Sequence, residues 1–187
     1  MLGNEGGAAV CRSSAQRWMR LRGDWVETDS REELWAAFLA AGSAAALGAR
    51  DARYDSWQFG YGREQGDRLL DCVVNGPKRA TTGALATYEH DGDPIPSAGD
   101  FSVVTDGSGV ARCVIRTTSV EIVAFESVDA AFAFDEGEGD RSLEYWRSVH
   151  WDYFSRELAG FGQSPTPDMP VVCERFELVF VEGQPLT

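Results

Sequence analysis

A turn between a predicted helix and a predicted strand holds the residues best suited to chemistry. It reads Asn75-Gly76-Pro77-Lys78-Arg79-Ala80-Thr81-Thr82, so that adjacent cations are followed by hydroxyl groups and backbone N–H groups. Such a turn can hold a phosphate or a polarised carbonyl oxygen. Lys78 is the only lysine in the chain, and lysine, unlike arginine, can lose its proton when it is buried. The alternative is an exposed basic pair with no ligand.

Aromatic and helix-terminal residues elsewhere in the chain are further candidates for ligand contact. Trp57 and Phe59 could stack on a nucleobase, or they could pack in the core. Arg141 and Ser142 lie at the start of a predicted helix, where backbone N–H groups favour anions. Ser142 has the alternative role of an N-cap, which needs no ligand.

The composition restricts the class of ligand. The 187 residues include 30 acidic and 17 basic side chains, which gives a formal net charge of −13, and 43% of the residues are hydrophobic. This length suits one domain with a real core. The charge argues against long-range attraction of the whole surface to nucleic acid or to an anionic membrane. Phosphate binding, if it occurs, must therefore be local.

No cofactor and no membrane partner are predicted. The four cysteines show no C-x-x-C spacing, and the two histidines have no helical partner. The acidic run 135–140 could bind a divalent cation, but a solvated loop is the preferred interpretation. Scattered cysteines fit a reducing compartment, and neither an apolar signal core nor a run of about 18 apolar residues is present. These features predict a cytoplasmic protein.

The hydrophobic pattern predicts the helices that must position these residues. Ser30 and Glu33 match a capping box ahead of an amphipathic run, which predicts a helix over 31–41. Two further helices are predicted over 63–75 and 142–159, with Gly160 ending the second. Residues 1–29 lack periodicity and are predicted to be a variable, disordered N-terminal extension to a domain over 30–187.

Short strands are predicted in the second half of the chain. Asp106-Gly107-Ser108-Gly109 lies between two apolar runs and predicts a hairpin. The strand signals cover the runs 81–87, 101–105, 111–117, 119–124 and 171–181. Helices followed by short strands, with one helix between the strands, favour an α+β fold with a small barrel-like sheet.

Several segments match the pattern of one known family. Gly76-Pro77-Lys78-Arg79-Ala80-Thr81 reads as G-x-K-x-x-T, Trp57-Gln58-Phe59-Gly60 reads as W-x-F-G, and residues 96–100 read as P-x-x-G-D. These runs resemble the signature segments of the ASCH domain, the activating-signal-cointegrator homology family. Segments 134–146 and 170–176 resemble the acidic loop, helix start and last strand of a bacterial subgroup. The resemblance covers roughly residues 31–181 and implies a PUA-like fold, a small pseudo-β-barrel flanked by helices.

The resemblance also implies a link to RNA and a site built around the signature. Members of the family include ribonucleases and an amidohydrolase that removes acyl groups from modified cytidine, such as N4-acetylcytidine. In the amidohydrolase type a lysine and a threonine three residues later act with a downstream glutamate. Lys78 and Thr81 match the first two. We assign Glu121 as the third, because Val120 and Ile122 on either side of it are expected to face the core.

Three functions fit these residues. The first is an RNA- or nucleotide-binding protein, including a ribonuclease. Its cleft would hold Lys78, Arg79, Thr81, Glu121 and an aromatic residue from the 57–59 run, with Thr82 as a further ligand contact. The second is an amidohydrolase with Thr81 as nucleophile; burial would lower the pKa of Lys78 and make it a base, whereas Glu121 would favour its charged form. The third is an RNA-binding module that uses the same pocket without turnover. The negative net charge favours a neutral nucleoside as ligand.

Overall fold

The structure is a computed structural model that describes residues 16–21 and 24–183. Within these residues it contains seven strands, six α-helices and one 3₁₀ turn. The strands are β1 (Gln16–Leu21), β2 (Asp24–Asp29), β3 (Tyr54–Trp57), β4 (Ala80–Ala84), β5 (Phe101–Thr105), β6 (Ala111–Ala124) and β7 (Pro170–Val181). The helices are α1 (Ser30–Ala40), α2 (Ala44–Gly48), α3 (Gly62–Val74), α4 (Leu85–Asp91), α5 (Ala130–Glu136) and α6 (Leu143–Ala159), and the 3₁₀ turn is Phe125–Ser127.

Five strands form a mixed sheet in the order β3-β5-β6-β7-β4. β3 is parallel to β5, and the other neighbouring pairs are antiparallel. The long strand β6 pairs with β5 over its first half and with β7 over most of its length, with a register shift between Thr117 and Ser119. β3 and β4 are the edges and do not pair with each other, so the barrel-like sheet stays open. The predicted α+β fold is confirmed.

Three apolar clusters attach the helices to the sheet. α5 and α6 pack on β4 and β7 around Trp146 and Phe154, and α3 packs on the sheet around Val73. α1 packs on β5 and β6 around Phe38. These four helices therefore each bury one face against the sheet, whereas α4 has no buried residue.

The start of α1 differs from the predicted capping box. Asp29 is the N-cap, and its carboxylate accepts a hydrogen bond from the N–H of Arg31 at 2.9 Å. Ser30 is buried as the first helical residue, and its hydroxyl accepts a hydrogen bond from the N–H of Ala111 at 3.2 Å. The capping-box prediction is wrong because this serine is used to join the helix to β6 rather than to cap it.

Two short helices were not predicted, and one predicted strand is shorter than expected. β4 ends at Ala84, and the chain continues into α4, whose Tyr88 packs over Gly83. α5 is capped by Asp129, which accepts from the N–H of Phe132 at 2.8 Å. Helices of seven residues are too short to show a clear 3.6-residue period, because tertiary packing rather than local pattern stabilises them.

β1 and β2 form an antiparallel pair ahead of α1, separate from the main sheet. They fall within the segment predicted to be a disordered extension, whereas residues 1–15, 22 and 23 lie outside the described residues. The domain boundary after residue 29 stays a prediction. In the described part of the chain, no helix has the length and apolar character needed to cross a membrane.

Replacing Phe38 by alanine should lower the free energy of unfolding by about 3–5 kcal/mol, the usual range for a fully buried phenylalanine. Its side chain is 0% exposed, and its ring lies 5.2–5.9 Å from the rings of Trp35, Phe101 and Phe180. Urea denaturation of Phe38→Ala measures the loss. The control is Leu47→Ala at a side chain that is 52% exposed, which should change the value by no more than about 0.5 kcal/mol.

Candidate functional site

Both edge strands of the open sheet contribute to the wall of a cavity of about 680 Å³. The wall is completed by α3, α4, α6 and the loop that leads into β5. A volume of this size suits one small organic ligand, since ligand pockets usually measure about 300–1,000 Å³. The mouth of the open barrel is therefore the place where the chain can enclose a ligand.

The lone lysine lies in the cavity wall with its amine inside the protein. Lys78 is 1% exposed, and its backbone N–H donates to the carbonyl of Cys72 at 3.1 Å, which ties the turn to the end of α3. Its Nζ donates to Glu138 Oε1 at 2.7 Å and to Glu136 Oε2 at 3.1 Å. The ring centroid of Phe59 lies 5.3 Å from the same nitrogen. The amine is thus held by two carboxylates and an aromatic face.

These carboxylates decide the charge of Lys78. Burial alone would lower the pKa of the amine, but the negative charges of Glu136 and Glu138 and their hydrogen bonds outweigh burial and raise it. Lys78 is therefore protonated in this arrangement. A protonated amine can bind an oxyanion or a carbonyl oxygen, whereas it cannot accept a proton from a nucleophile.

Glu136 is the centre of a buried hydrogen-bond network. In addition to Lys78 on Oε2, its Oε1 accepts from Thr82 Oγ1 at 2.5 Å and from Trp146 Nε1 at 2.8 Å, and His150 Nε2 lies 3.4 Å away. Burial alone would raise the pKa of this carboxyl group, but His150, Lys78 and the hydrogen bonds hold the pKa well below its usual range. Glu136 is therefore ionised and joins α5, β4 and α6.

His150 completes the network. Its Nδ1 lies 3.0 Å from the carbonyl oxygen of Trp146, its Nε2 faces Glu136, and its ring stacks on Trp146 with centroids 4.4 Å apart. The imidazole therefore joins α6 to the carboxylate of Glu136.

The acidic segment reaches Lys78 because Gly137 permits a close backbone contact. A Cβ atom on Gly137 would lie 2.7 Å from the backbone nitrogen of Lys78, and the residue has a φ of +70°. The N–H of Arg79 donates to the carbonyl of Asp135 at 2.8 Å and fixes the two segments side by side. The preferred interpretation of this run as a solvated loop is therefore wrong for Glu136, which the backbone contact carries into the interior.

Arg79 faces away from the cavity. Its Nη1 donates to the carbonyl of Val73 at 3.0 Å, at the C-terminal end of α3, and to the carbonyl of Lys78 at 2.6 Å in the turn that follows. Carbonyls at a helix end lack intrahelical partners, and an arginine satisfies them well. In this structure Arg79 stabilises the turn that carries Lys78, and it does not line the cavity.

The two adjacent threonines have different surroundings. Thr82 lines the cavity and belongs to the buried network through Glu136, on the side packed by α5 and α6. Thr81 points to the opposite face of β4, as alternation along a strand requires, and it lines the cavity. Its hydroxyl makes no hydrogen bond to any residue that the structure describes. Thr81 is therefore the available hydroxyl of the signature.

The aromatic pair predicted as a ligand contact lines the cavity, whereas the start of α6 does not. Trp57 and Phe59 both line the cavity, with their rings edge to face at 4.6 Å. Ser142 is the N-cap of α6 and accepts from the N–H of Tyr145 at 3.1 Å. Arg141 donates to the carbonyl of Phe134 at 3.0 Å. Neither Arg141 nor Ser142 lines the cavity.

Glu121 is exposed on β6 and does not line the cavity. Ile122, which was expected to face the core, is 49% exposed. The register shift between Thr117 and Ser119 changes the alternation of the strand, so the inside–outside pattern expected there is wrong. The carboxylates that meet Lys78 are instead Glu136 and Glu138.

A second buried carboxyl group of the cavity was not predicted from the sequence. Glu174 on β7 is 5% exposed, lines the cavity and accepts a hydrogen bond from Thr117 Oγ1 at 2.6 Å. Burial raises its pKa, and the nearby Asp100 raises it further, although the bond from Thr117 acts in the opposite direction. Tyr88 on α4 lies near it, and burial together with the charge of Glu174 raises the pKa of Tyr88 to about 12.

Acidic side chains outnumber basic ones in the cavity wall by nine to four. The acidic residues are Asp55, Asp91, Asp93, Asp100, Glu136, Glu138, Asp152, Glu157 and Glu174, and the basic residues are Arg53, Arg68, Lys78 and Arg156. Among residues 24–183 and the strand 16–21, no group of three or more His, Cys, Asp or Glu side chains is arranged to hold a metal ion. The wall therefore favours a neutral or cationic ligand over a polyanion.

Gly137→Ala should destabilise the protein more than a glycine substitution that changes backbone strain alone. The positive φ costs a non-glycine residue about 1–2 kcal/mol, and overpacking against Lys78 adds about 1–3 kcal/mol. The matched control is Gly162→Ala, since Gly162 has a φ of +77° and no atom within 4 Å of an added Cβ. Thermal and urea unfolding of both variants check this. Equal losses would contradict the close contact between the acidic segment and Lys78.

Glu136→Gln should lower the free energy of unfolding at pH 7 by about 3–5 kcal/mol, because it breaks a buried ion pair. Since the folded pKa of Glu136 lies below the unfolded value of about 4.3, its contribution is complete above about pH 5 and falls as the pH drops below 4.3. The gap between wild type and variant should therefore narrow in acid. Urea titrations from pH 7 to pH 3 measure it, with the exposed Glu121→Gln as control.

Comparison with known proteins places this chain and its fold in a family. The family model described as the ASCH domain matches residues 55–180. An ASCH domain from Lactobacillus crispatus JV V101 is 29% identical, with a TM-score of 0.73, over 80% of this chain and 94% of that one. Protein EF3133 from Enterococcus faecalis V583 is 35% identical, with a TM-score of 0.70, over 80% and 87%. A search of curated proteins finds no match. With a PUA-like open sheet and the lysine turn at its mouth, the chain belongs to the ASCH domain family.

Proposed function

We propose that the cavity binds a nucleoside and hydrolyses an amide bond on its base. The observation that carries this proposal is the presence, in one cavity of single-ligand size, of a protonated Lys78 and of the unbonded hydroxyl of Thr81. Amide hydrolysis needs a nucleophile and a donor for the oxyanion, and these two groups supply them.

The charge of the wall supports a ligand without phosphates. Lys78 is the basic group deepest in the site, and the carboxylates of Glu136 and Glu138 offset its charge. Six further acidic residues line the cavity besides Glu136, Glu138 and Glu174, and they add negative potential. A neutral nucleoside does not meet this repulsion, whereas a nucleic-acid backbone does.

Aromatic side chains supply the surfaces that a flat base needs. Trp57, Tyr88 and Tyr145 line the cavity with partly exposed side chains, whereas Phe59 is 3% exposed and packs in the core. Stacking of a base on an aromatic ring contributes about 1–3 kcal/mol to binding, and it needs no charge. A base stacked in this cavity would lie in the same space as Lys78 and Thr81.

Lys78 acts in this proposal as the oxyanion donor. Its ammonium has three N–H donors, of which Glu136 and Glu138 take two, so the third is free to meet the oxygen of a tetrahedral intermediate. Thr81 acts as the nucleophile and forms an acyl ester that water then hydrolyses. Because Lys78 is protonated, a group other than Lys78 must accept the proton of Thr81.

RNA binding is the second candidate function. Arg53, Arg68 and Arg156 line the cavity and could contact the phosphates of a short unpaired RNA, and ASCH domains are generally regarded as RNA-binding. A ribonuclease would require Lys78 to contact the scissile phosphate, whereas an RNA-binding module would show affinity without turnover.

Wild-type protein should release acetate from N4-acetylcytidine or a related acylated nucleoside, and Thr81→Ala should lose the rate by about 10³-fold or more, as expected for a missing nucleophile. Mass spectrometry of the products measures the release. The matched control is Thr118→Ala, at an exposed threonine of β6 that does not line the cavity.

The other functions give different outcomes in the same assay. Cleavage of RNA oligonucleotides that is lost in Lys78→Ala, without release from any acylated nucleoside, would establish the ribonuclease instead. Saturable RNA binding without new products would leave the binding module. An undiminished rate in Thr81→Ala would exclude the threonine as nucleophile.

A further inference from the structure

Thr81 and Glu174 lie directly opposite each other on neighbouring antiparallel strands. Thr81 of β4 is the register partner of Glu174 of β7. Directly opposed residues point to the same face of the sheet, with Cβ atoms about 4.5–5.5 Å apart. Both residues line the cavity. The pairing of the two strands therefore places a carboxyl group beside the hydroxyl that the proposed reaction uses.

Glu174 is held in place on one oxygen and free on the other. Oε1 accepts the hydrogen bond from Thr117 Oγ1 at 2.6 Å, whereas Oε2 accepts none from the residues that the structure describes. No basic side chain of residues 29–183 forms an ion pair with it. An anchored carboxylate without a counter-ion has one oxygen available for a proton.

The two buried glutamates of the cavity have opposite environments. Glu136 is fixed in its ionised form by Lys78, His150 and two further donors. Glu174 has a single neutral donor and an acidic neighbour, Asp100, so burial dominates. When two acidic groups of one site have such different environments, one commonly stays ionised and the other exchanges protons with the substrate.

We propose that Glu174 is the general base and general acid for the reaction at Thr81. The proposal rests on the proposed amide hydrolysis and names the proton acceptor that Lys78 does not provide. It is carried by the cross-strand pairing of Glu174 with Thr81, by the anchoring bond from Thr117 to one oxygen, and by the place of Glu174 in the cavity wall.

Glu174 takes up one proton and gives it back in each half of the reaction. The Oγ–H proton of Thr81 passes to Glu174 as Oγ bonds to the acyl carbon, and the leaving amine takes that proton as its C–N bond breaks. In the second half Glu174 takes a proton from water while the water oxygen bonds to the acyl carbon. Thr81 leaves with that proton, so that one water is consumed and a carboxylic acid and an amine are released.

The surroundings of Glu174 predict the pH dependence. As a base it must be ionised, and burial with Asp100 raises its pKa, so the rate should fall as the pH drops through a value above the usual 4.3 or so of a glutamate. The titratable neighbours that face it are Asp100 from the loop before β5 and Tyr88 from α4. Removing the bond from Thr117 raises this pKa further.

The test compares Glu174→Gln with the matched control Glu126→Gln, which makes the same substitution at an exposed position of the 3₁₀ turn, outside the cavity wall. With an acylated nucleoside as probe, Glu174→Gln should lower kcat by about 10²–10⁴-fold while KM changes only a few-fold, and Glu126→Gln should retain the wild-type rate. In Thr117→Val the acid limb of the pH–rate profile should move to higher pH.

The outcomes separate this proposal from the proposed function. A wild-type kcat in Glu174→Gln beside an inactive Thr81→Ala would overturn the role of Glu174 and leave the hydrolase. Absence of release by the wild type would overturn both. Circular dichroism checks that Glu174→Gln folds. If it does not fold, the pH–rate profile of Thr117→Val tests the proposal instead. An acid limb that moves to higher pH supports the role of Glu174, and an acid limb at the wild-type pH contradicts it.

Discussion

The ammonium group of Lys78 lies in the protein interior between two carboxylates, and the architecture around it follows from the need to keep these charges paired. Removing a charge from water costs several kcal/mol, and only close partners and additional hydrogen bonds offset that cost. Glu136 meets this need through donors on β4 and α6. One ion cluster therefore links a turn, a strand and two helices that are far apart in sequence.

The same cluster explains why the pKa values of two buried carboxyl groups in one cavity shift in opposite directions. Lys78 forms its ion pairs with Glu136 and Glu138, whereas Glu174 lies on the other face of β7 and accepts a hydrogen bond from the neutral hydroxyl of Thr117. The strand thus separates a paired charge from a carboxyl group whose pKa is raised mainly by burial. Adjacent threonines on β4 follow this division, because Thr82 faces the first region and Thr81 faces the second.

The sequence predicted those parts of the fold that have a local signal. The 3.6-residue period predicted α1, α3 and α6, and the Asp106–Gly109 turn predicted the hairpin of β5 and β6. Lys78 was predicted as a site residue because it is the only lysine, and Thr81 was predicted through the family resemblance; both line the cavity. Helix α4 and helix α5 were missed because their stability comes from tertiary contacts.

The carboxyl groups of the site could not be predicted from local pattern. An acidic run normally lies in solvent, and only the backbone approach at Gly137 places Glu136 beside Lys78. The assignment of Glu121 assumed regular alternation along β6, which the register shift after Thr117 interrupts. Arg79 had a signal in its position after a helix end, where side chains of its type satisfy carbonyl groups.

The solitary lysine also has a chemical consequence for the folded protein. Since Lys78 is 1% exposed and every other basic side chain of the chain, apart from the histidines, is an arginine, the native surface presents no lysine amine to an electrophile. Because its ammonium is held by Glu136 and Glu138, a reagent that acylates amines would react with this side chain only when these ion pairs open. The rate of its modification would therefore report local opening at the mouth of the barrel, without background from other lysines.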